Sequence, residues 1–210
     1  MTTVIVVRHG ESLSNLNKTF TGQWDVPLTE LGHIQARNTA EFLKEYSIDA
    51  IYSSDLTRAI QTAQPTADQR DLTIVPDARL REIHGGDWQG KLGTVIAEMY
   101  PESHTVWKKD IENSCPGGVE SYRRVSARMH EFFEEILKKH RGECVAVFSH
   151  ALALHTMAQD WIGKDKDPWM TNASVSILEY EDDGTCHVKL FSYDKHHGEN
   201  VTVLSKGLTS

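Results

Sequence analysis

The chain has 210 residues, 39% of them hydrophobic and 25% charged, enough for a full core in one domain. Its formal net charge of −8 argues against nucleic acid or an anionic membrane surface as a partner for the whole. No apolar run reaches the ~18–20 residues of a membrane span, and the N-terminus has neither the basic flank nor the cleavage site of a signal peptide, so a cytoplasmic protein is expected. Cys115, Cys144 and Cys186 are odd in number and widely spaced, which favours reduced thiols.

The first element is a continuous apolar run, Thr3–Val7, of the kind found in a strand covered on both faces. It stops at Arg8, His9 and Gly10. Thr29 then caps a helix to Tyr46 that keeps Leu31, Ile34, Ala36, Ala40 and Leu43 on one side. Asp49–Ser54 is a second buried strand. Asp55 reads as the N-cap of a helix that carries Arg58, with Pro65 limiting or bending it. Leu72–Pro76 is a third strand, followed by a loop with Arg81, Glu82 and His84. Lys91–Tyr100 reads as helical and Ser114–Gly118 as a break. Glu120–His140 has the clearest helical period: Tyr122, Val125, Met129, Phe132, Ile136 and Leu137. Glu143–His150 is another buried strand, and a helix follows it to Gly163. Two strands around residues 174–181 and 186–193 close the chain across Asp182, Asp183 and Gly184.

This alternation predicts a three-layer α/β/α sandwich around a mostly parallel mixed sheet with an antiparallel addition. In such sheets ligands sit outside the carboxyl ends of the strands. Four strand ends then offer Arg8 and His9, Arg58, Glu82, and His150 (Arg81 is a further candidate cation). The set suits a phosphoryl group. Guanidiniums hold a dianion through paired hydrogen bonds. Helix N-termini add oriented N–H groups. A neutral imidazole can attack phosphorus, and a carboxylic acid can protonate the leaving oxygen. Arginines neutralise charge in this scheme, so neither a metal nor a cofactor is required.

The segments VVRHGES, TFTGQWDVPLTELGHIQA, IYSSDLTRAIQTA, LREIHGGDWQG, CPGGVES and VAVFSHA occur in this order, with NASVSILEY after them. Together they resemble the histidine phosphatase superfamily, which includes the cofactor-dependent phosphoglycerate mutases. The resemblance implies a phosphoglycerate mutase-like fold in one domain, residues 1–210, with a helical lid around 91–118. It implies His9 as the nucleophile, Arg8, Arg58 and His150 as the rest of the phosphate pocket, and Glu82 as the proton donor. Asn15, Thr21, Gly22, Gln23 and His84 would line the substrate side, and the Ala151 N–H would face the phosphate.

Mutases of the superfamily carry an insertion after the acid residue, with extra cations for the substrate carboxylate. Here IHGGDWQGKLG follows Glu82, and Lys108–Lys109 are the paired cations of the next segment. The pattern looks like the phosphatase branch and is similar to actinobacterial glucosyl-3-phosphoglycerate and broad-specificity phosphatases; an alpha-ribazole phosphate phosphatase is another branch. The expected activity is metal-independent hydrolysis of a small phosphorylated metabolite. The alternatives are a phosphoglycerate mutase and a non-catalytic phosphate-ester binding protein. A homodimer through an edge strand is an option by family analogy. Of the remaining histidines, His33, His130, His140 and His187 are expected on solvated faces. Trp24, Trp88 and Trp107 are candidates for an apolar wall, with packing in the core as the rival reading for each.

Overall fold

The computed structural model describes residues 1–163 and 165–202. The last eight positions of the expected domain lie outside the described residues. In chain order the strands are β1 (Thr2–Arg8), β2 (Ala50–Ser53), β3 (Ile74–Pro76), β4 (Cys144–Ser149), β5 (Val175–Tyr180) and β6 (Cys186–Tyr193). The helices are α1 (Leu13–Asn17), α2 (Glu30–Phe42), α3 (Thr57–Asp68), α4 (Gly93–Met99), α5 (Pro101–Lys109), α6 (Tyr122–Lys139) and α7 (Ala151–Ile162). One sheet runs in the order β3-β2-β4-β1-β5-β6. The first four strands pair in parallel, and β5 and β6 add antiparallel.

Successive side chains of β1 point to opposite faces, and both faces are covered. Val4 and Val6 pack with Val125, Met129, Phe132 and Leu154 of α6 and α7. Ile5 and Val7 pack with Leu43 after α2 and with Ala63 and Ala67 of α3. That is the expected α/β/α sandwich. The chain leaving β1 enters α2 on one face, whereas the chain leaving β4 enters α7 on the other. Adjacent parallel strands whose connections part in this way leave a crevice at their carboxyl ends. The β1–β4 register pairs Arg8 with Ser149, so His9 and His150 are the next residues on either side of the crevice.

Several local expectations change. Asp55 does not cap α3; its carboxylate accepts from the Arg81 guanidinium instead. The first turn is capped from a distance by Asp25, which accepts from the Thr57 N–H at 2.8 Å and from its hydroxyl at 2.7 Å. Pro65 does not end α3, because it removes only its own N–H and its carbonyl still accepts from Gln69. Two helices show no clear period in the sequence, although α5 falls within the helical lid expected around 91–118. The short α1 is set by a capping box between Ser12 and Asn15. The other, α5, starts at Pro101 and buries none of its residues fully, so it carries little apolar pattern. His140, expected on a solvated face, is buried between the Tyr52 hydroxyl at 2.9 Å and the Glu143 carboxylate at 2.6 Å. All three cysteines are free thiols.

Candidate active site

β1 delivers Arg8 and His9 into the crevice, and the backbone beyond is held without slack. The Gly10 N–H donates to Thr62 Oγ1 at 3.0 Å, and that hydroxyl donates to the Arg58 carbonyl. Asn172 Nδ2 donates to the carbonyls of His9 and Gly10 and to Asn15 Oδ1, at 3.1–3.2 Å. Glycine is required at position 10. A Cβ there would stand 2.7 Å from the Gly32 carbonyl oxygen, in the first turn of α2.

His9 Nδ1 lies 2.7 Å from the Gly10 carbonyl oxygen. A carbonyl only accepts, so Nδ1 carries the proton and Nε2 keeps its lone pair. Burial holds the His9 pKa well below the ordinary 6.5, and the charges of Arg58 and Arg8 push in the same direction. The ring is therefore neutral at pH 7. His150 stands beside it with ring centroids 5.1 Å apart. Burial and the same cations hold His150 well below 6.5 as well.

Arg8 donates from Nη1 to the Met170 carbonyl at 2.6 Å and lies 5.4 Å from the centre of the Trp169 ring. Arg58 donates to the carbonyls of Gly22 and Trp24 at 2.8 and 3.0 Å. Neither guanidinium forms a salt bridge among the described residues, and burial lowers the pKa of each to about 10. Among the described residues, the buried Nε of Arg8, Nε of Arg58 and both ring nitrogens of His150 have no hydrogen-bond partner. Buried donors are normally satisfied, and buried charges are normally paired. Two cations with idle N–H groups, and a second neutral imidazole with one N–H to give, make a receptor for an anion around His9.

Glu82 is anchored from the other side of the crevice. Oε1 accepts from the N–H groups of Ile83 and Ala153 at 3.0 and 2.9 Å, and Oε2 accepts from Leu152 at 3.1 Å. The last two belong to the first turn of α7, where unpaired N–H groups are available. Ala151, buried, opens the same turn. Glu82 does not pair with Arg79 or Arg81; Arg81 is held by Asp55 and stays out of the anion pocket.

The candidate substrate-side residues divide. Gly22 and Gln23 join the frame: the Gly22 carbonyl holds Arg58, and Gln23 Nε2 donates to the Glu82 carbonyl at 3.0 Å. Thr21 lies in the same loop, its carbonyl accepting from Trp24. Asn15 Oδ1 is engaged by Ser12 and Asn172, a structural duty. His84 is exposed, with Nδ1 accepting from the Gly86 N–H. Trp88 is a core residue packed edge-on against Phe20 and Trp107, while Trp24 remains 49% exposed.

The sequence reading missed Thr62, although Arg58 and Thr62 are four apart on one helix and share a face. No pattern in the sequence signals the roles of Asn172 and Arg128, which act on main-chain carbonyls. Among the described residues no three His, Cys, Asp or Glu side chains come together as a metal site, and no helix is long and apolar enough to cross a membrane.

A doubly covered sheet with a cation-lined anion pocket at its crevice, built around a neutral histidine, is the architecture of a phosphate-handling enzyme. The comparisons agree and narrow the class. The chain belongs to the histidine phosphatase superfamily (branch 1), whose family model matches residues 4–193. Phosphoserine phosphatase 1 of Hydrogenobacter thermophilus is 32% identical over 208 residues, covering 93% of this chain and 99% of that one. Phosphoglycerate mutase-like protein 4 of Arabidopsis thaliana is 32% identical, covering 97% and 90%. The structure of a mycobacterial glucosyl-3-phosphoglycerate phosphatase in complex with VO3 superposes with a TM-score of 0.79 at 28% identity, covering 90% of this chain and 98% of that one.

Proposed function

We propose that the chain is a metal-independent phosphomonoesterase that works through a phosphohistidine at His9. One observation carries this reading: buried Arg8 and Arg58, without salt bridges among the described residues, and the idle nitrogens of His150 surround a neutral His9 whose Nε2 is free to attack.

The phosphoryl dianion of a small metabolite takes the place of the missing partners of Arg8, Arg58 and His150. His9 Nε2 forms a bond to phosphorus as the ester P–O bond breaks. The cations stabilise charge on the equatorial oxygens. The leaving oxygen takes a proton from Glu82. A carboxyl offers about four lone-pair positions; three are occupied by N–H donors, and the fourth, on Oε2, is the place for that proton. In the second half Glu82 takes a proton from water, the water oxygen bonds to phosphorus, and the N–P bond breaks to release inorganic phosphate. Residues 91–118, which contain α4 and α5, serve as the lid on the leaving-group side. Their paired cations, Lys108 and Lys109, are exposed at the end of α5, which suits hydrolysis better than the enclosed carboxylate site of a mutase.

The test uses substrate labelled in the phosphoryl group. Wild type should acquire acid-labile label and release inorganic phosphate, and His9→Ala should do neither. Label that persists in His9→Ala would move the nucleophile elsewhere. Mutase turnover with bisphosphoglycerate in the absence of hydrolysis would overturn the phosphatase reading. Tight anion binding with no label in wild type would leave a binding protein.

A further inference from the structure

Arg128 lies in the second turn of α6, between Val125 and Phe132 on the buried face of the helix. An arginine on an apolar stripe needs a reason, and its five N–H donors supply one. Nε and one Nη2 hydrogen go to the two oxygens of Glu120, both at 3.1 Å. Nη1 reaches the carbonyls of Arg79 and Arg81, both at 2.6 Å, and the second Nη2 hydrogen reaches the Glu82 carbonyl at 3.0 Å. All five donors are engaged, in contrast to Arg8 and Arg58. Glu120 extends the grip: its Oε2 accepts from the His84 N–H at 3.1 Å, and its own N–H donates to the His84 carbonyl at 2.8 Å. The segment from Arg79 to His84 is thus clasped at five backbone groups by one ion pair. Glu82 sits at its centre.

We propose that Arg128 and Glu120 form a positioning pair for general-acid catalysis, setting the backbone from which the Glu82 carboxyl reaches the leaving oxygen. The inference rests on Glu82 being the proton donor. The side chain of Glu82 is tied to α7, but its Cα is tied to α6 through Arg128. Proton delivery needs the carboxyl within hydrogen-bond reach of one oxygen, and a shift of about 1 Å at a reacting group can cost on the order of a hundredfold in rate. Lysine replaces Arg128 only in part, because it offers three donors from one point and lacks the planar fork.

A structural role and a positioning role for proton transfer predict different leaving-group dependences. The experiment measures kcat and KM for a series of aryl phosphates of similar size, from dinitrophenyl phosphate, whose leaving group needs no proton, to phenyl phosphate, whose leaving group does. Glu82→Gln should steepen the dependence on leaving group. Arg128→Met should steepen it in the same sense, losing about 10- to 100-fold in kcat on phenyl phosphate and less than about threefold on dinitrophenyl phosphate, with little change in KM. Arg128→Lys should fall between. If Arg128→Met does not fold, Glu120→Gln, which keeps the shape and removes the charge that orients Arg128, should show the same steepening to a smaller extent.

An equal loss on every ester in the folded Arg128 and Glu120 variants, or no loss on any, would overturn the inference while leaving Glu82 as the acid. An equal loss in Glu82→Gln would remove Glu82 as the acid and the positioning role with it.

Discussion

Replacing Arg8 with methionine should make the free protein more stable while destroying its capacity to hold phosphate. The Arg8 pKa falls from the ordinary arginine value to about 10, chiefly through burial, which the Glu82 carboxylate opposes and the like charge of Arg58 reinforces. That difference corresponds to about 3 kcal/mol against folding with the charge in place. The lowered value means that the unfolded chain holds the proton more tightly, so the whole penalty applies below pH 10 and is relieved only as the pH rises past it. Methionine removes the penalty. It also gives up the hydrogen bond to Met170 and the contact with Trp169, worth about 1 kcal/mol each. The net expectation is a gain of about 1 kcal/mol, or roughly 2–4 °C in Tm for a chain of this size. Calorimetry without anion should show the variant melting higher. With phosphate at about 100 times its Kd, wild type should gain about 2.7 kcal/mol and the variant far less at the same concentration. A variant that melts below wild type, with both shifted equally by phosphate, would refute the account of Arg8 as an unpaired cation awaiting its ligand.

Gly10→Ala places a Cβ 2.7 Å from the Gly32 carbonyl oxygen and 3.2 Å from its Cα, all of it backbone. It should cost about 1–3 kcal/mol and, by displacing His9, reduce kcat by a factor of ten or more; a variant with wild-type Tm and kcat would show that the approach is not close. His9 and His150, both held well below 6.5 mainly by burial, take up protons on unfolding as the pH falls through 6.5. Stability should therefore drop between pH 7.5 and 5.5, and the urea-derived slope should be shallower in His150→Gln by up to about 1.4 kcal/mol per pH unit. An unchanged slope would place a charged His150 in the folded state.

The sequence carried the frame of the molecule because its signals are local. β1 and β4 are unbroken apolar runs, and α6 repeats its apolar residues at three and four, so burial follows from period alone. Arg8, His9, Arg58, Glu82 and His150 were legible because each stands next to such a signal, at a strand end or in the loop beyond one. Long-range partners were not legible. Asp55 looked like a cap by adjacency, yet Asp25, 32 residues before Thr57, does that work. Arg81 looked like a pocket cation until Asp55 claimed it. Arg128 carries no signal in the sequence, since three of its acceptors are main-chain carbonyls that no side-chain pattern announces.

Asp25 and Arg58 also determine how the loop before α2 can behave. The loop gives α3 its cap, and α3 returns two hydrogen bonds to the loop carbonyls of Gly22 and Trp24. The Gln23 N–H donates to Gln89 Oε1 at 2.7 Å, and its side chain donates to Glu82. A segment cross-tied to three separate parts of the chain opens only when all of them yield together. It is expected to behave as a fixed wall beside Arg58. The Gln23 and Thr57 amides should exchange their hydrogens on the timescale of the buried strands, a rigidity unusual for so exposed a stretch of chain.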